Sequence, residues 1–104
     1  MKENFTMRLC GSDVTVTHSD PTAWAVGGMG RANAGLGAIE LSDKLTPATY
    51  HQTLLHEMVH LILDFHGLHN VSGQEATVNI LANSLLAWMR DNPSVVKVII
   101  GSNG

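Results

Sequence analysis

The sequence predicts an α+β fold in one domain, a small antiparallel or mixed sheet of about three strands packed on two main helices. Three observations predict it. Residues before about 45 are rich in Gly, Thr and Ser and alternate apolar with polar side chains, the period of strands. Residues after that point space their apolar side chains three and four apart, the period of helices. The chain has 104 residues, of which 44% are apolar, enough for one modest core and too few for two.

Each element has a local reason. Phe5, Met7 and Leu9 alternate with Thr6 and Arg8, and Val14 and Val16 alternate with Thr15 and Thr17. Cys10-Gly11-Ser12-Asp13 between them is turn-like, so the pair predicts a β-hairpin. Pro21, Gly27, Gly28, Gly30 and Gly35 make residues 19–35 a long connection. Within it, Gly27-Gly28-Met29-Gly30-Arg31 lacks the spacing of a phosphate-binding loop and reads either as a flap over a cleft or as an inert loop. Residues 37–42 form a third short strand. Thr46-Pro47 starts a helix, because Thr caps and Pro at the first helical position gives up an N–H that has no partner there. Leu55, Met58, Val59, Ile62 and Leu63 then mark one apolar face, and Gly67 is the stop. A second helix starts near Ser72 with the stripe Val78, Leu81, Ala82, Leu85, Leu86 and Met89. Residues 94–100 are ambiguous: their β-branching favours a strand, while Asn92-Pro93 is a good helix start and tips the reading to a short helix. The domain thus divides into strands and a Gly-rich loop over 1–45, one helix over 46–67 and another over 72–91.

Charge and composition exclude several roles. Lys plus Arg is 6 and Asp plus Glu is 9, a net charge of −3 that argues against a nucleic-acid partner. No apolar run approaches the roughly 20 residues of a membrane span. The first ten residues lack the apolar stretch of a signal peptide, so a cytoplasmic location is expected. Cys10 is the single cysteine, which leaves no intrachain disulfide and no zinc site built from several cysteines.

The chemistry concentrates in the first helix, which contains His56-Glu57-Met58-Val59-His60, an H-E-x-x-H motif. Four residues advance a helix by about 400° and 6 Å, so His56 and His60 share a face and both imidazoles can reach one zinc ion. With Leu55 at the centre of the apolar stripe, His56 lies near about 100°, His60 near about 140° and Glu57 near about 200°. The three are therefore expected beside the core face, where a cleft forms, with Glu57 reaching a zinc-bound water as general base.

A third ligand is required, with one position left open for water. Asp64, His66, His69 and Glu75 are the candidates. His66 falls at the spacing of the longer motif with three histidines, but Leu63 stands where that motif needs a helix-breaking Gly. His69 follows Gly67 and is within reach of a fold back. Asp64, four residues after His60, suits a supporting or solvated position better than ligation. Glu75 falls on the apolar stripe of the second helix, where a carboxylate is costly unless paired or bound to metal. Ser72-Gly73-Gln74-Glu75 equally fits a capping box, in which Glu75 only satisfies a backbone N–H. His18 and His51 read as non-ligands, Trp24 and Trp88 as packing residues. Asn79, one turn after Glu75, reads either as a hydrogen-bonding group near the site or as packing. Tyr50 is not in an obvious place for an oxyanion donor.

Residues 38–93, with IELSDKLTPATYHQTLLHEMVHLIL and GQEATVNILANSLLAWMRDNP, resemble the small zincin-like metallopeptidases of phage and prophage genomes. They are more distantly similar to the ImmA/IrrE-type peptidases. Both resemble the compact gluzincin group, in which a strand leads into the H-E-x-x-H helix and a second helix supplies a Glu, often in a Glu-Ala dipeptide such as Glu75-Ala76. The resemblance implies a zincin-like fold with His56, His60 and Glu75 as ligands of one zinc and Glu57 as base. It implies hydrolysis of a peptide or amide bond. It also suggests that residues 37–42 are an edge strand that pairs with an extended substrate, although they equally suit an ordinary sheet strand. Two other roles stay open. One is a zinc-binding regulatory or interaction module of a phage or mobile element with little turnover. The other is a regulatory peptidase that cuts a single partner.

Overall fold

The computed structural model describes residues 3–24 and 28–101, and Gly27 of the Gly-rich run lies outside them. Among these residues the α+β expectation holds, with one four-stranded mixed sheet and four helices. Strand β1 (Phe5–Leu9) pairs antiparallel with β2 (Ser12–Ser19). The turn is tighter than the sequence suggests. Cys10 and Gly11 alone make it, with φ of 53° and 78°, the two left-handed residues of a hairpin whose twist matches its strands. Val14 and Val16 are fully buried while Asp13 and Thr15 are exposed, so the alternation seen in the sequence faces the core as expected.

The sheet has one strand more than the sequence shows. β3 (Gly30–Asn33) arises inside the expected long connection and pairs antiparallel with β4 (Ala38–Ser42). Its residues carry no apolar alternation; long-range partners hold it. Arg31 Nε donates to Glu40 Oε1 at 2.7 Å, and the Arg31 guanidinium lies 4.6 Å from the centroid of the Trp24 ring. Trp24 Nε1 donates to Ser19 Oγ at 2.9 Å, and Ser19 Oγ donates to Glu40 Oε2 at 2.6 Å. This ring of contacts ties β2, β3 and β4 together across one edge of the sheet. The Ser19 hydroxyl and the Arg31 guanidinium hold the Glu40 carboxyl below the ordinary carboxylate range against a smaller opposing effect of burial.

β4 pairs parallel with β2 on its other side, giving the order β1-β2-β4-β3. Residues 37–42 therefore do not offer a free edge. Of the two readings of this segment, the ordinary sheet strand holds and the edge strand that pairs with substrate is corrected: the edges are β1 and, beside β4, β3.

Helix α1 (Pro47–Phe65) begins as the sequence predicts, with Thr46 Oγ1 accepting from Thr49 N and Pro47 in the first turn. It ends at Gly67, whose φ of 75° lets Leu68 N donate to Leu63 O at 2.8 Å. The helix has two packed faces rather than one. Tyr50 and Leu61 pack on Val14, Val16, Ile39 and Leu41 of the sheet. Val59, flanked by Leu55 and Leu63, packs on Val78 and Ala82 of α3 (Glu75–Asp91). A one-turn helix α2 (His69–Ser72) joins them, and α4 (Pro93–Ile99) follows α3 as expected. The expected stripe of α3 is only half used. Val78 and Ala82 are buried and Leu86 and Met89 partly covered, but Leu81 and Leu85 remain 42% and 48% exposed, as does Trp88 outside the stripe at 39%. No helix among the described residues is long and apolar enough to cross a membrane.

Candidate metal centre

His56 and His60 stand one turn apart on α1, and the α2 turn brings the start of α3 back against them. His60 Nε2 lies 2.7 Å from Glu75 Oε1, His56 Nε2 lies 3.0 Å from Glu75 Oε2, and the two Nε2 atoms are 3.1 Å apart. These three side chains form a group that could hold a metal ion. His56 and His60 are mostly covered, with side chains 16% and 14% exposed, whereas Glu75 is 63% exposed.

That exposure corrects the reason for expecting Glu75 here. The carboxylate is not buried on the apolar stripe; it sits on the first residue of α3, on the flank of the helix next to Val78. The capping box is not formed either. The residue before α3 is Gln74, which makes no side-chain cap, and Ser72 ends α2 instead of starting a helix. Ser72 is 5% exposed and its hydroxyl turns to α1. His60 Nδ1 lies 3.0 Å from Ser72 Oγ, and Ser72 Oγ donates to the His60 carbonyl at 3.4 Å. Ser72 thus holds one ring nitrogen of His60, and the other, Nε2, faces His56 and Glu75. This is the second contact that orients a ligating imidazole and fixes its tautomer. A polar residue read as a cap in sequence thus supports the site, and only the return of α2 onto α1 reveals it.

Glu57 was expected beside the core and lies deeper. It is 7% exposed, because α1 also packs on the sheet and Glu57 falls on that second face. Gly30 lets β3 pass directly over it: a Cβ built on Gly30 would stand 3.3 Å from Glu57 Cγ and 2.9 Å from both Leu41 Cδ2 and Thr53 Cγ2. Burial pushes the Glu57 carboxyl up from its ordinary value, while His56 and His60 pull it back and Glu75 adds to the rise. Glu57 shares a cavity of about 470 Å³ with His56 and Glu75, walled by Thr49, Gln52 and Thr53 of α1, Asn79 and Asn83 of α3, and Met29 and Gly30 at the start of β3.

The other candidates lie elsewhere. His66 Nδ1 bonds the Ile62 carbonyl at 2.7 Å, and His69 Nδ1 lies 3.0 Å from Asp64 Oδ1, so these three are engaged outside the group. His18 Nε2 meets Tyr50 Oη at 2.8 Å under the sheet, and neither lines the cavity. His51 is exposed against the edge of Tyr50. Of the two tryptophans, Trp24 is buried in the β2–β4 network and Trp88 stays on the surface. Comparison with protein-family models, with curated proteins and with solved structures gives no match.

Proposed function

We propose that the chain is a zinc-dependent metallopeptidase of the compact gluzincin kind, acting in the cytoplasm on a peptide or amide bond. One observation carries the reading: two imidazoles and a carboxylate from different helices converge within 3.1 Å of one another beside a buried glutamate on the same cavity wall. The donor set suits zinc. With one ligand atom taken from each residue, the three atoms lie within 4.8 Å of one another, close enough for one ion to draw together.

When bound, zinc supplies Lewis acidity, which polarises a carbonyl and lowers the pKa of a water molecule. Glu57 would accept the proton of the attacking water and return it to the departing amine. Burial raises its carboxyl above the ordinary value, which makes it a stronger base than an exposed glutamate. Held between α1 and Gly30, its carboxyl has little freedom to turn away. The free edge of β3 is the place for strand addition by an extended substrate.

Metal content and peptide hydrolysis of wild type, Glu57→Gln, Glu75→Ala and His66→Ala test this. One equivalent of zinc, kept in Glu57→Gln and His66→Ala and lost in Glu75→Ala, together with hydrolysis lost in Glu57→Gln, is the expected result. Absence of zinc after supply at neutral pH, or undiminished hydrolysis by Glu57→Gln, overturns it. A second reading, a zinc-binding interaction module, is favoured by the exposed Leu81, Leu85 and Trp88 of α3. It predicts that Glu57→Gln keeps both metal and function.

A further inference from the structure

Beyond the metal group and Glu57, the cavity wall has an unusual composition. It holds three side-chain amides, Gln52, Asn79 and Asn83, and no Lys or Arg among the described residues. All three amides are exposed. Most of the other described amides do structural work: Asn4 Oδ1 accepts from His18 N, Asn33 Oδ1 from Leu36 N, Gln74 Oε1 from Thr77 Oγ1, and Asn92 Nδ2 donates to the Trp88 carbonyl. No described group hydrogen-bonds Gln52, Asn79 or Asn83 in this way. Each amide offers two donors and one acceptor to whatever enters the cavity.

Their placement carries a cost without a structural return. Asn is a poor residue in a helix interior, because its side chain competes for backbone bonds. α3 nevertheless places Asn at two successive turns of one flank, following Glu75. Four residues along a helix rise about 6 Å. Two residues along an extended peptide rise about 6.6 Å. Glu75, Asn79 and Asn83 therefore advance in near register with every second residue of an extended chain laid along α3.

We propose that Asn79 and Asn83, faced by Gln52 of α1, form a hydrogen-bonding wall for the main chain of an extended, uncharged peptide segment. It would track about four residues to one side of the metal group. The proposal rests on the peptidase reading for what is done to that peptide, and it deepens that reading by assigning substrate length. It makes the favoured substrate an unstructured segment and not a dipeptide or a folded surface.

The test uses Glu57→Gln protein supplied with zinc. The probes are acetylated, amidated Ala-Ser repeat peptides of two, four, six and eight residues, followed through the side-chain amide NMR signals of Gln52, Asn79 and Asn83. Affinity should rise with length and level off by eight residues. Asn83→Ala should weaken the eight-residue peptide about two- to tenfold and leave the two-residue peptide unchanged, since a net hydrogen bond is worth that factor. Asn79→Ala should weaken the four-residue peptide as well, and Asn83→Gln should restore part of the loss. Absence of binding, affinity independent of length, or an equal loss at every length in Asn83→Ala overturns the proposal. Hydrolysis is measured separately with Glu57 intact. Length-dependent binding without cleavage refutes the peptidase reading and supports the wall; cleavage without length dependence does the reverse.

Discussion

Replacing Gly30 by Ala probes how the sheet positions Glu57. The added Cβ would lie 2.9 Å from Leu41 Cδ2, 2.9 Å from Thr53 Cγ2 and 3.3 Å from Glu57 Cγ. Carbon atoms rest at about 3.5–4.0 Å, so two contacts must each open by roughly 0.6 Å or more. Neither neighbour has room to swing, since Leu41 is 0% and Thr53 6% exposed. Overpacking of this kind costs about 1–3 kcal/mol. In a domain of this size that lowers Tm by about 4–20 °C. Gly28→Ala is the control, because a Cβ there meets nothing within 4 Å. Urea unfolding followed by circular dichroism gives both differences. The clash touches Glu57 and spares His56, His60 and Glu75, so zinc stoichiometry should survive while hydrolysis falls by up to about a hundredfold. Equal stability of Gly30→Ala and wild type, or an equal loss in Gly28→Ala, would refute the reasoning.

Three further outcomes are expected. Ser72→Ala removes the partner of His60 Nδ1 and should weaken zinc binding about 10- to 100-fold in competition with a chromophoric chelator, with stoichiometry unchanged at high zinc. Chelation should lower Tm, because the ligands bridge α1 and α3; at free zinc one hundred times Kd the bound ion contributes about 2.7 kcal/mol, and an identical Tm with and without zinc would contradict the bridge. Glu40→Gln tests the network under β3. The folded carboxyl titrates below its unfolded value, so its contribution is present above the ordinary carboxylate range and is lost as pH falls through the lowered pKa. The destabilisation by Glu40→Gln, about 1 kcal/mol or less at this partly exposed site, should therefore be seen at pH 7 and shrink toward pH 3; a constant difference would count against the ion pair.

The parts of this architecture written locally were legible in the sequence. Val14 and Val16 announced an inward face, Thr46-Pro47 and Gly67 bounded α1, and the spacing of His56 and His60 put both on one flank. The parts that depend on distant partners were not. Gly30 to Asn33 has no strand signature of its own and is a strand because β4, Glu40 and Trp24 make it one. The depth of Glu57 is not legible because the sequence shows one apolar stripe on a helix that packs on two sides. Glu75 was reached through the resemblance, and the burial argument offered beside it fails against a side chain that is 63% exposed. Ser72 carried a signal, but its pattern fitted a helix cap better than a partner for His60.

The distribution of the site over the chain also sets an order of assembly. His56 and Glu75 are 19 positions apart and need only a helix pair and a one-turn link to meet. The chamber around Glu57 needs more elements: the β3–β4 hairpin, and β2 paired parallel with β4 on its other side. Closing short loops is fast, whereas parallel pairing across a sheet is slow. On refolding, His56, His60 and Glu75 would therefore come together while the chamber around Glu57 is still unformed. The group proposed to hold the ion depends on the helix pair and the seat of Glu57 depends on the sheet, so damage to β3 would uncouple the two.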